Sequence, residues 1–206
     1  MINKNSVEVL ARRVEGRLSA KRFKHSLGVK KCAELLGEKL LPDSVDELAA
    51  AALLHDISKE LPIREQLKII SESDFVLTEE DARTEGVIHS FSAPEVVKRD
   101  FPEYATPSVL SAVLKHTVGA ESMSVFDKII FLSDYIEENR VFDSCSRVRD
   151  FMLGGFDLLT EREALARLNE ACLMAISGAE EALLRMNQPI NSRMYLTKKI
   201  FLEQKM

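Results

Sequence analysis

Four histidines and two aspartates carry the chemistry that can be read from this sequence. The chain has only four histidines, and each falls on an apolar stripe with helical spacing, the pattern that turns a helix face toward a core. His25 shares its stripe with Gly28, Val29, Cys32 and Leu36, and His55 continues Leu48, Ala51 and Ala52. His89 precedes Ala93, Val96 and Val97, while His116 ends a stripe of Val109, Ala112 and Val113. All four are expected to point inward. Asp56 directly follows His55, and Asp134 lies on the stripe of Phe126, Ile130 and Phe131 within FDKIIFLSDYIEENR. An unpaired carboxylate in such a place is costly.

One inward histidine is most often a hydrogen-bonded core residue. Four of four, joined by two inward aspartates, call for a common explanation. Neutral imidazoles and ionised carboxylates are the N and O ligands accepted by Zn, Mn, Fe, Co or Ni, so a divalent cation would neutralise the set. Such a cation polarises a phosphoryl oxygen and lowers the pKa of bound water. Two of them about 3.5 to 4 Å apart can hold a hydroxide in line with a phosphorus atom. His25, His55, Asp56, His89, His116 and Asp134 suffice for two metals.

The elements that must position these residues are helices. Strand signals are scarce, with no Asn-Gly or Asp-Gly hairpin turns. Capping boxes stand at Ser44/Glu47, Thr78/Asp81, Ser124/Asp127 and Thr160/Glu163, and Thr106 with Pro107 gives a further helix start. The pattern predicts helices near 5–17, 20–40, 45–58, 62–72, 79–83, 86–99, 107–116, 125–138, 143–153 and 161–186, an all-α fold. No linker, low-complexity tract or repeat divides residues 1–206, which are taken as one domain. The last twenty residues, with Arg193, Lys198, Lys199 and Lys205, read as a basic, solvated tail.

The 206 residues are 46% hydrophobic and 30% charged with a formal net charge of -5, which argues against a broad footprint for a nucleic-acid polymer. An anionic substrate must therefore be held by local charge. The N-terminal MINKNSVEVLARRVEG has no secretory pattern, and no apolar run approaches a membrane span, so a cytoplasmic protein with no membrane partner is expected. Cys32, Cys145 and Cys172 are odd in number and widely spaced, as reduced core thiols are.

An isolated His, a His-Asp doublet and a distant Asp, here His25, His55-Asp56 and Asp134, resemble the signature of the HD phosphohydrolase superfamily. The additional His89 and His116 resemble its binuclear branch. The narrower resemblance is to YqeK-like symmetrical diadenosine tetraphosphate hydrolases and covers roughly residues 18 to 185. RFKHSLGV, ALLHDISKELP, VIHS and above all LKHTVGAESMSVFDKIIFLSDYIEENR carry it. Ser133 and Glu138 depart from that pattern, where Ala and Pro are usual.

The resemblance implies an HD-domain helical bundle, iron as the native metal with Mn, Co, Ni or Zn as substitutes, and symmetrical cleavage of diadenosine tetraphosphate to two ADP. His25, His55, Asp56 and Asp134 would hold one metal, Asp56 would bridge, and His89 and His116 would serve the second. The expected partner is a dinucleoside polyphosphate, with a second copy of the chain as a candidate.

Lys59, four residues after His55, is expected to project from the same helix face onto a bridging phosphate or leaving-group oxygen, the alternative being a lysine drawn to a helix end. It joins Asp56 as a catalytic candidate. Arg64, Lys115, Lys128 and Arg140 could add charge around a polyphosphate, Arg140 foremost. Thr117 and Gly119 follow His116 in a turn. There Thr117 could bond a phosphate or a ligating group and Gly119 could admit a ligand to the backbone, or the turn could simply end a helix. Ser124 is read as an N-cap, and Phe23, Phe91, Phe126 and Phe131 as core rather than base platforms. Three rival functions use the same residues: another HD-type nucleotide phosphatase or phosphodiesterase, a di-iron oxygenase, and a non-catalytic nucleotide-binding regulator.

Overall fold

A computed structural model describes residues 2–203, and among these every regular element is helical. Eleven α-helices follow one another: α1 (Lys4–Glu15), α2 (Ala20–Leu40), α3 (Val45–Leu54), α4 (Ile63–Ser71), α5 (Glu79–Arg83), α6 (Glu85–Asp100), α7 (Pro107–Lys115), α8 (Val125–Ile136), α9 (Asp143–Leu153), α10 (Glu161–Arg185) and α11 (Ser192–Glu203). The all-α expectation is borne out.

The fold is organised around α3, whose sequence VDELAAAALL is buried from Leu48 to Leu54. A helix that is apolar all round belongs in the centre of a bundle, and four consecutive alanines let neighbouring helices approach closely. Helices α2, α7, α8 and α1 pack against it, α6 packs on α7, and α10 closes over α2, α8 and α9. The five segments that carry the inward histidines and aspartates are thus brought to one place.

Start signals work as the sequence predicts at Thr78/Asp81, Ser124/Asp127 and Thr160/Glu163, each a complete reciprocal box, and Thr106 caps α7 ahead of Pro107. Ser44 does not cap α3. It closes a 3-10 turn over Pro42–Ser44 with no side-chain cap bond, and the Glu47 carboxylate instead accepts from the Thr106 hydroxyl at the start of α7.

Three further expectations are corrected. The helix placed over 45–58 ends at Leu54, and residues 55–60 form successive turns closed by Ile57 N–H to Leu54 O and Lys59 N–H to Asp56 O. Pro62 bars a continuous helix onward, and the Ser58 hydroxyl engages Ser92 Oγ and the His89 carbonyl. The helix placed over 125–138 ends at Ile136, because Glu137 turns extended at ψ 153°.

The tail is not a solvated face. Met194, Thr197 and Phe201 of α11 are buried, Arg193 pairs with buried Asp81 at 2.9 Å, and Lys198 pairs with Glu180. Lys205 lies outside the described residues. Gly119, at φ 69°, also serves this helix: a Cβ there would collide with the Thr197 methyl, Cγ2. The glycine makes room for α11 rather than for a ligand.

Candidate metal centre

His55 and His116 follow the last residues of α3 and α7, where helix-end carbonyls are left over for side-chain donors. Each ring uses one of them. His55 Nδ1 donates to Ala52 O and His116 Nδ1 to Val113 O, both at 2.7 Å. These bonds set the tautomer and leave both Nε2 atoms with a lone pair aimed inward. His25, within α2, turns its Nδ1 to Glu137 Oε1 at 3.2 Å. His89 differs: the Lys59 ammonium, which can only donate, lies 2.9 Å from its Nδ1 and 3.3 Å from its Nε2, and Nε2 faces His116 Nε2 at 3.0 Å.

Two clusters result, joined by Asp56. Its Oδ2 lies 3.4 Å from His55 Nε2 and 3.8 Å from His25 Nε2, and Asp134 Oδ1 completes that side at 2.9 Å from His25 Nε2. Its Oδ1 lies 3.2 Å from His89 Nε2 and 3.5 Å from His116 Nε2. Ligand atoms of His25, His55 and Asp134 all fall within 4.8 Å of one another, as do those of His55, Asp56 and His116. Imidazole nitrogens about a shared carboxylate, with the far nitrogens of His25, His55 and His116 held by fixed acceptors, are a donor set that suits borderline divalent metals.

The electrostatics agree. Burial would raise the Asp56 carboxyl, but the imidazoles of His55, His116 and His89 hold it well below the usual range. Burial opposes ionisation of Asp134 too, and is outweighed by Arg140 and His25. Burial lowers His89 to about 3, keeping its ring neutral. His25 is lowered by burial, but the carboxylates of Asp134 and Glu137 prevail and raise it to about 9. Burial lowers Lys59 against the pull of Asp56 and Asp134.

Asp56, His89, His116 and Asp134 line a cavity of about 900 Å³. Lys59, Thr117 and Arg140 also line it, and Lys59 arrives from a turn rather than along a helix. Thr117 Oγ1 is 3.2 Å from His89 Nε2, and Arg140 donates to Asp134 Oδ1 at 2.7 Å. Of the other cations, Arg64 is exposed on α4, Lys115 pairs with Asp127, and Lys128 donates to Asn169; these three do not line the cavity. Phe91 stacks on Phe75 with ring centres 4.9 Å apart and Phe126 is buried in the core, whereas Phe131, also buried, lines the cavity. Glu138 stays at the surface against Lys31.

Sequence reasoning missed three contributors. Arg22, one turn before His25 on α2, donates to Asp56 Oδ2 at 2.7 Å, and its i, i+3 spacing was a usable signal. Glu137 lies past the end of α8, where helical spacing has no meaning. The apolar wall of the cavity comes from Ala175, Ile176, Ala179 and Leu183 of α10.

A comparison with protein families finds the HD domain over residues 22–139, a span that holds all six clustered side chains. The chain belongs to the HD-domain family. Among curated relatives, the symmetrical bis(5'-nucleosyl)-tetraphosphatase of Bacillus subtilis is 30% identical over 184 residues, 89% of this chain and 91% of that one. The protein of the same name from Halalkalibacterium halodurans is 31% identical over 195 residues, 93% and 95% of the two chains. The resemblance to the YqeK-like group is thereby borne out. The crystal structure of a predicted HD superfamily hydrolase involved in NAD metabolism from Clostridium acetobutylicum superposes with a TM-score of 0.80 at 25% identity, over 96% of this chain and 97% of that one.

Proposed function

We propose that this protein is a metal-dependent symmetrical bis(5'-nucleosyl)-tetraphosphatase that hydrolyses diadenosine tetraphosphate to two ADP. The observation that carries the reading is Asp56, which offers one oxygen to each of two histidine clusters on the floor of a cavity that also exposes Arg22, Lys59 and Arg140. Near-full-length relatives of that name support the substrate. A chain of net charge -5 must hold a tetraphosphate by local cations, and these three residues supply them.

In this reading His25, His55, Asp134 and Asp56 Oδ2 would hold one divalent cation, and Asp56 Oδ1, His89 and His116 the other. Bound cations supply Lewis-acid stabilisation of phosphoryl oxygens and a water of lowered pKa. Iron is assigned by resemblance; Mn, Co, Ni or Zn satisfy the same donors. His89 would ligate through Nε2 with its ring proton on Nδ1, and Nδ1 would then not accept from Lys59. The Lys59 ammonium, which lines the cavity, would be available to phosphate.

Arg22 and Arg140 stand in a similar relation to Asp56 and Asp134. Both guanidinium groups line the cavity, and with Asp56 and Asp134 engaged as ligands their donors would be available to phosphate oxygens, which suit paired N–H donors. Thr117 adds a hydroxyl beside His89. The wall of α10 offers apolar surface to a purine. Residues 1–206 are taken as one HD-type domain, supported by a core that includes both Val7 of α1 and Phe201 of α11. Among the described residues no helix is long and apolar enough to cross a membrane. Three free, buried cysteines are consistent with the reducing cytoplasm to which the reading assigns the protein.

An early time course with diadenosine tetraphosphate in water enriched in heavy oxygen tests the assignment. The expected nucleotide product is ADP alone, with label on one terminal phosphate. AMP and ATP in equal amounts would refute symmetrical cleavage.

A further inference from the structure

Three of the four histidines present no puzzle of orientation: His55 and His116 use free carbonyls at helix ends, and His89 meets Lys59. His25 is different. It lies inside α2, where the carbonyls one turn back already accept from the helix backbone. Its Nδ1 needs an acceptor from another element, and Glu137 supplies it at 3.2 Å.

Glu137 is itself held on every side. It is 2% exposed, just past the end of α8. Its second oxygen, Oε2, accepts from the Asn139 backbone N–H at 2.7 Å and from Asn139 Nδ2 at 2.8 Å. Its main chain is pinned by Arg149 of α9, whose guanidinium donates to the carbonyls of Ile136, Glu137 and Arg140 at 2.5, 2.6 and 2.7 Å. Across the interface stands Gly28, one turn after His25. A Cβ on Gly28 would collide with Glu137 Oε2, so the carboxylate occupies space that only glycine leaves.

We propose that Glu137, seated against Gly28 and held by Asn139, is the positioning residue that fixes the His25 ring and its tautomer for metal at the His25–His55–Asp134 cluster. This rests on the metal-site reading and is independent of which phosphoanhydride is cut. A carboxylate accepting from Nδ1–H keeps Nε2 free of the proton once metal competes for it, and makes the imidazole a stronger ligand. Glutamate accepts on both oxygens and so satisfies His25 and Asn139 together. A glutamine in its place cannot: its amide NH2 must face either the Asn139 donors or His25 Nδ1. The second orientation places the ring proton on Nε2, where it blocks ligation.

The test is calorimetric titration of the metal-free full chain with Co²⁺ alone, without nucleotide, following the visible ligand-field bands as a readout of coordination. The wild type is expected to take up two equivalents. Glu137→Gln should weaken one of them by 10- to 100-fold, the usual scale for losing such a partner, and leave the other within about 3-fold. Glu137→Asp, which retains an acceptor, should restore part of the loss. Asn139→Ala, which leaves the Asn139 backbone N–H in place, should weaken the same equivalent less than Glu137→Gln does.

Gly28→Ala should reproduce the Glu137→Gln defect by displacing the carboxylate. Circular dichroism and melting of the metal-free proteins establish that each variant folds. Two wild-type affinities in folded Glu137→Gln would overturn the role, and so would equal weakening of both equivalents, the mark of a general loosening. Failure of the metal-loaded wild type to cleave diadenosine tetraphosphate, with one Co²⁺ equivalent selectively weakened in Glu137→Gln, would count against the substrate and leave Glu137 as assigned.

Discussion

Asp56 and His89 lie 33 positions apart in the chain, yet Asp56 Oδ1 is 3.2 Å from His89 Nε2, while the other oxygen of the same carboxylate faces His55 at 3.4 Å. One side chain therefore couples both histidine clusters. Asp56→Ala should cost both cations, not one, since each cluster loses an oxygen ligand. Elemental analysis of purified protein is expected to find less than about one tenth of the wild-type metal, with kcat reduced by about 10² or more. Normal metal content in this variant would remove Asp56 from its bridging position.

Lys59 reaches the cavity from the turn after α3 and contacts His89 Nδ1 and the Gly86 carbonyl. If its role is to place charge beside phosphate, Lys59→Ala should lower kcat by about 10², the scale of a lost electrostatic contact in a closed site. Metal content and melting temperature should hardly change. A variant with wild-type kcat and KM would return Lys59 to a structural bond with α6.

Much of this architecture was legible in the sequence because its signals are local. Reciprocal boxes such as Thr160/Glu163 are confined to one turn, and the four histidine stripes repeat at helical spacing whatever packs against them. What was missed depends on partners far away in the chain. In α11, Met194, Thr197 and Phe201 form the buried line, but a threonine at its centre and lysines beside it give the segment a polar composition. Its burial becomes intelligible only through Gly119 and Asp81. Glu137 likewise has no spacing signal; its place is set by Gly28 on another helix. The end of α3 at Leu54 follows from turns that bring Asp56 and Lys59 to one cavity, a requirement of the site and not of helix propensity.

The link between α11 and α5 should be sensitive to acid. Burial would raise the Asp81 carboxyl, but Arg193, Asn191 and Thr78 outweigh it and lower it to about 2. A carboxyl depressed in the folded state stabilises above its unfolded value near 3.8 and loses that contribution as pH falls toward 2. Arg193→Ala should lower the melting temperature at pH 7 by about 4 to 8 °C, the scale for roughly 2 kcal/mol in a chain of this size. The gap from wild type should narrow between pH 4 and pH 2. A gap that stays constant down to pH 2 would mean that the pair is not what holds the helix.

Gly119 makes a separate claim on the same helix. With φ at 69° and Thr197 Cγ2 already filling the space a Cβ would need, Gly119→Ala carries both a backbone and a steric penalty. It should lower the melting temperature by at least about 4 °C. Adding Thr197→Ser removes the offending methyl, keeps the hydroxyl that donates to Val118 O, and should recover part of the loss. The backbone part remains. Strictly additive effects in the double variant would show that the two residues do not meet.

The wall of α10 decides where the nucleoside halves can go. Ala175, Ile176, Ala179 and Leu183 present a continuous apolar face to the cavity, opposite a floor made of imidazoles and carboxylates. Small side chains at 175 and 179 leave space there, and a purine gains by burying its faces against such a surface. Ala179 is only half-buried, so a larger residue can be accommodated without disturbing the core. Ala179→Phe should therefore fill the cavity, raise KM for diadenosine tetraphosphate by about 10-fold or more, and leave metal content unchanged, as expected when binding surface rather than chemistry is removed. Steady-state kinetics beside elemental analysis measures both. If KM holds while the phenylalanine variant folds and keeps its metal, the base is bound elsewhere, and the rim around Phe142 and Arg185, where a second cavity of about 600 Å³ opens, is the next place to mutate.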